Sequence, residues 1–167
     1  MNRLLLPLAK FVAVTAPLTW LWIEGGRDAY HAFFIDVTQP MLAWYGWPKS
    51  QLGSVPQRFI SYVPFLALML ITPRITMTRR FWGTAIGFGL LFLSHAGFVL
   101  ASIAAYTEYG ETPQAIKAVF GVMLLLDSLP FLLWAVICWD VIRDTIEGAS
   151  GKIFGDAESP KHSNPEG

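Results

Sequence analysis

The chain has 167 residues, 54% hydrophobic and only 14% charged, and its twelve basic and twelve acidic residues cancel. An average soluble domain is roughly 25% charged, so this composition points to a membrane protein with short loops and no separate soluble domain. Zero net charge argues against a nucleic-acid partner, which would ask for a basic face, and one cysteine, Cys138, excludes an internal disulfide or a cysteine metal site within one chain.

The first apolar segment, Leu4 to Ile23, has the length of a membrane span. Val14 and Ala16 resemble a signal-peptide cleavage site, but Pro17 and Lys10 oppose cleavage, so a retained anchor is expected. From Glu24 to Arg58 the chain reads as an external loop. Within it Tyr30, Phe33, Phe34, Val37, Met41, Trp44 and Tyr45 recur at three- and four-residue steps, with His31, Thr38 and Gln39 off that stripe. This pattern predicts an amphipathic helix over about 29–45 in the outer interface, covering the bundle or acting as a lid over a site that opens outward. Pro40 is a place for a bend, and Gly46-Trp47-Pro48 should end the helix.

A second span is read from Phe59 to Thr72. Arg58 and Arg74 bracket it about 24 Å apart along a helix, so both must snorkel toward water. The third, Phe81 to Tyr106, holds no Asp, Glu, Lys or Arg. Gly83 and Gly87 form a GxxxG pair, and Gly97, Ala101 and Ala105 continue a small-residue face that packs within the chain or against a second copy. The fourth span runs from Ala118 to Trp139. Residues 148–167 are rich in Gly, Ser and Pro and read as a disordered polar tail, with His162 an ordinary tail residue.

The turn holding Arg74, Arg79 and Arg80 has no acid, whereas the next carries Glu108 and Glu111 against Lys117, so the arginine turn belongs in the cytoplasm. Both termini then face the cytoplasm. Trp20, Trp22, Tyr106 and Tyr109 fall at outer span ends, and Trp82 and Trp139 at inner ends. The expected fold is all-α: four transmembrane helices and one outer interfacial helix in residues 1–147, in a bacterial inner membrane.

No Walker loop, HExxH or CxxC occurs, and Gly87-Phe88-Gly89 leads into Leu-Leu-Phe, not into a dinucleotide loop. No cofactor or metal is expected. The informative residues are polar ones at membrane depth, which are costly there and usually partnered. His95 and Asp127 lie at depths differing by about 3 Å on adjacent antiparallel spans, so they are expected to meet. Ser94 and Ser128 flank them, Pro130 frees the carbonyl of Leu126, and Arg58, Ser61 and Tyr62 are placed to close the same cavity. Three roles fit such a cluster: a structural pair fixing helix register; a hydrolase or transpeptidase with Ser61 as nucleophile, His95 as base and Asp127 orienting it; or a small transporter or proton-relay subunit. Cys138 lies away from the cluster and reads as inert packing.

The succession "YHAFFIDVTQPMLAWYG", "RFISYVPFLALMLITP", "RITMTRR" and "FWGTAIGFGLLFLSHAGFVL", over roughly residues 28–106, resembles the core of the exosortase and archaeosortase membrane proteins. That resemblance implies a multi-span transpeptidase that processes C-terminal sorting signals at the outer face with a cysteine, an arginine and a histidine. The chain departs from the pattern at those residues. Ser61 stands where the cysteine belongs, "SHAGF" replaces the arginine region, and His95 is not the family's histidine, which belongs to a later helix. The resemblance thus implies a shortened, non-catalytic relative accompanying envelope protein sorting or polysaccharide export. Its partners would be the lipid bilayer and a membrane protein or second copy.

Overall fold

The computed structural model describes residues 2–44, 46, 60–110 and 112–155, with side chains described for 8–44, 46, 60–110 and 112–147. All regular structure among them is helical. Helix α1, Asn2–Leu21, is followed by no loop. Trp22–Gly26 forms a π-helical turn, in which the Arg27 N–H donates to the Trp22 carbonyl five residues back, and α2 continues over Arg27–Trp44. The external loop expected from Glu24 is therefore helical up to Trp44. Gly25 and Gly26 lie within this wider turn. A Cβ on Gly26 would lie 3.2 Å from Cε3 of Trp22, so the glycine gives that indole its place.

Helix α3 covers Tyr62–Ile71, ten residues or about 15 Å. That is half the roughly 30 Å of a bilayer core, so the second predicted span is only partly helical among the described residues. Arg58 and Phe59 lie outside them. The helix stops because Thr72 precedes Pro73 and turns extended, ψ 118°.

Helix α4, Met77–Tyr109, has 33 residues; Thr76 Oγ1 caps it by accepting from the Arg79 N–H at 3.3 Å, and Gly110 at φ 63° ends it. Helix α5, Pro113–Ile137, starts on the proline, whose missing N–H costs nothing there. Helix α6, Trp139–Gly155, passes residue 148, where a disordered tail was expected to begin. Residues 156–167, with His162, lie outside the described residues.

Helices α4 and α5 are long and apolar enough to cross a membrane. Only 28% and 11% of their most apolar windows is buried, the reverse of core helices in a soluble fold. Phe120, Leu124, Leu125, Phe131, Leu132 and Val136 of α5 and Phe81, Ile86 and Leu93 of α4 all face outward.

The buried line of α4 is Gly83, Gly87, Leu91, His95, Val99 and Ile103, four residues apart throughout. Four residues turn a helix by about 400°, so each step rotates the line by roughly 40° and it winds from one neighbour to the next. At its start a Cβ on Gly83 would sit 2.8 Å from Ile137 Cγ2, and one on Gly87 would sit 2.1 Å from Phe65 Cζ. This glycine pair packs inside the chain. Phe65, Met69, Leu91 and Cys138 form the core at that end, while Phe34, Ile35, Leu42, Val99, Ile103 and Leu126 form it at the other. Tyr30 packs against both.

Gly97 does not belong to this line. It follows Gly87 by ten residues, about 80° short of whole turns, and a Cβ there would meet nothing within 4 Å. Ala101 is half-buried and Ala105 buried.

Helix α2 divides the expected stripe, with Phe34 buried and Tyr30 half-buried. Phe33, Val37, Met41 and Trp44 are exposed, Trp44 at 86%, while Thr38 is buried and His31 and Gln39 are half-buried. In water such a helix would hide its aromatic stripe; facing hydrocarbon, polar groups turn inward.

Candidate functional site

The π-turn and α2 bring Tyr30 to the point where the α4 line passes from α3 to α2, and His95 occupies that point. His95 is fully buried, with its Nδ1 2.7 Å from the Tyr30 hydroxyl. Tyr62, first residue of α3, donates its hydroxyl to Tyr30 Oη at 3.3 Å. The two hydroxyls and the imidazole thus form one hydrogen-bonded chain, Tyr62 to Tyr30 to His95.

The three rings also pack edge to face. Centroids of Tyr30 and Tyr62 lie 4.9 Å apart, and those of Tyr62 and His95 5.3 Å apart at 83°. Phe88 meets the edge of Tyr62 at 5.0 Å, and Trp22 from the π-turn lies 5.7 Å from Tyr30. Such contacts add about 0.5–1.5 kcal/mol per aromatic pair beyond burial.

The residues singled out from the sequence are only partly gathered here. Ser61 and Tyr62 are buried at the start of α3, but no hydrogen bond joins Ser61 to His95. Ser94 donates to the Leu91 carbonyl at 2.7 Å, and exposed Ser128 to the carbonyls of Leu124 and Leu125. Asp127 is exposed on α5 and makes no hydrogen bond or ion pair with His95. The expected His95–Asp127 pair is replaced by His95–Tyr30.

Matching depth along two helices leaves their rotation unspecified. Helix α5 buries Leu126 and Pro130, and Asp127, one residue or about 100° further round, falls outside. Arg58 lies outside the described residues.

The sequence set Tyr30 and Phe34 on one apolar stripe with Phe33, Val37 and Met41; the structure splits that stripe and turns Tyr30 and Phe34 inward together with Thr38.

Beside the cluster lies a cavity of about 570 Å³. Trp22, Gly26, Tyr30 and Phe33 line it from the π-turn and α2, Tyr62 and Leu66 from α3, and Phe88, Gly89 and Phe92 from α4. Its walls are almost wholly apolar, because the tyrosine hydroxyls are spent on each other and on His95. Among the described residues no group of three His, Cys, Asp or Glu could hold a metal ion.

No protein-family model matches the chain, and no curated protein or solved structure shows significant similarity to it. What the cluster can do follows from its own chemistry. Among the described residues neither a carboxylate nor Ser61 hydrogen-bonds this imidazole, so the expected Ser61–His95–Asp127 arrangement is not assembled there. The cluster fixes the rotation of three helices and furnishes one wall of an aromatic cavity.

Proposed function

We propose that this chain is a four-span protein of the bacterial inner membrane with both termini cytoplasmic, and that it works by binding and not by bond chemistry. Its role is accessory to envelope protein sorting or polysaccharide export, as the exosortase resemblance implies. In that role the cavity beside His95 holds one prenyl or acyl chain of a lipid-linked intermediate. One observation carries the reading: a cavity of about 570 Å³, at the level of apolar helices that face outward, whose nearest polar groups are turned away from it. Sites of 300–1,000 Å³ with apolar and aromatic walls are the usual size for small ligands.

Gly89 supplies the test, because it lines the cavity and a Cβ there meets nothing within 4 Å. Gly89→Leu adds a bulky side chain to the cavity lining from a position whose Cβ has room. The purified protein is labelled with a diazirine-bearing prenyl chain and a diazirine-bearing acyl chain, and the labelled peptides are sequenced. Labelling of Trp22 and Phe88 peptides that disappears in Gly89→Leu but survives in Gly97→Leu supports the reading. Equal labelling of all three proteins refutes it.

A further inference from the structure

A second cleft, about 510 Å³, lies at the other end of the short helix α3, beneath α6. Leu68, Ile71, Trp134 and Ile142 give it an apolar floor, Thr72 an edge, and Lys10 of α1 a charge. Lys10 stands in an apolar helix and forms no ion pair among the described residues. A second cation is close: Arg80 donates through Nη2 to the Thr72 carbonyl at 2.9 Å, and its Nε is buried with no hydrogen-bond partner among the described residues.

The acids of α6 do not compensate this charge. Asp140 is held by Arg79 at 2.7 Å and Glu147 by Arg143 at 2.9 Å, and Asp144 does not line the cleft. The Thr72 hydroxyl already donates to Leu68 and accepts from Trp134 Nε1 at 2.8 Å, which fixes the floor without using the cations. An apolar cleft with Lys10 in its lining and Arg80 held against its edge residue Thr72 matches an amphiphile whose head is an anion and whose body is hydrocarbon.

We infer that this cleft binds an anionic glycerophospholipid, with its phosphate on Lys10 and Arg80 and an acyl chain along Leu68, Trp134 and Ile142. The inference rests on the membrane reading above but not on the cavity beside His95. A lysine near an anionic headgroup contributes about fivefold in affinity, so the charge should be visible in binding.

The full-length protein in detergent is titrated with phosphatidylglycerol, phosphatidylcholine or inorganic phosphate while its thermal midpoint is followed by tryptophan fluorescence. The expected result is a midpoint rise with phosphatidylglycerol well above that with phosphatidylcholine, and none with inorganic phosphate. Lys10→Gln should weaken the phosphatidylglycerol response about fivefold and Lys10→Arg should retain it. Gly89→Leu should leave it intact. Equal responses to the two lipids, an equal response to inorganic phosphate, or an unchanged titration in Lys10→Gln would each overturn the proposal. Alkaline carbonate extraction of membranes separates the two failures. A protein that stays in the membrane but ignores phosphatidylglycerol loses this inference alone, and one that washes out loses the membrane reading as well.

Discussion

Gly87→Ala and Gly89→Ala add the same methyl to the same helix two residues apart and should move stability in opposite directions. At Gly87 the new Cβ would sit 2.1 Å from Phe65 Cζ and 2.5 Å from Cε1. Ordinary contact begins at 3.4 Å, so ring and helix must part by 3.4 − 2.1 = 1.3 Å. Phe65 is wholly buried and has no free space to swing into. At Gly89 the methyl meets nothing within 4 Å.

Both substitutions gain helix propensity, about 0.8–1 kcal/mol, so the difference between them isolates the overpacking cost of about 1–3 kcal/mol. For a chain of this size that separates the melting midpoints by roughly 2–12 °C. Thermal unfolding in detergent, followed by tryptophan fluorescence, reads the difference. Phe65→Leu in the Gly87→Ala background should recover part of the loss, although alone it lowers the midpoint. Two alanine variants that melt together, or a Phe65→Leu effect of the same sign and size in both backgrounds, would refute the α3–α4 packing described here.

Tyr30→Phe and His95→Leu should each destabilise, and the double variant should lose less than their sum, with coupling of about 0.6–1.7 kcal/mol in a double-mutant cycle by thermal unfolding. Asp127→Asn, on the exposed face of α5 and out of contact with His95, should not lower the midpoint and should show no coupling to His95→Leu. Cys138 is fully buried against Met69, with sulfur–sulfur separation 4.0 Å. A maleimide should therefore leave the folded protein unlabelled at neutral pH and react once in SDS, as mass spectrometry would show.

Helix existence was legible because apolar runs free of charge are a local property. Spans three and four are found as α4 and α5 with ends shifted by two to five residues. What escaped were quantities that depend on rotation and on the solvent. The depth of Asp127 was inferred from counting residues, but which side of α5 carries it depends on packing with α3 and α4. The stripe on α2 was recognised, but not its division, with Phe34 buried beside Thr38 and Phe33, Val37 and Met41 exposed. The loop expected from Glu24 onward is helical through a π-turn, which differs from an α-turn only in which carbonyl the Arg27 N–H meets. His95 itself stood out in the sequence, since an ionisable group in an apolar run needs a partner. Its partner lies 65 residues away on another helix and left no local trace.

That separation sets a timetable for synthesis. The ribosome must add 65 residues after Tyr30 before His95 exists, which at 5–20 residues per second takes between about 3 and 13 s. Helix α2 is complete long before then, and throughout that interval its inward groups His31, Thr38 and Gln39 have no α4 to rest on. The nascent chain therefore passes through a stage in which α2 must keep these groups wet or borrow cover from the insertion machinery. The Tyr30–His95 bond can close only afterwards, making it a late event in assembly however early its tyrosine is made.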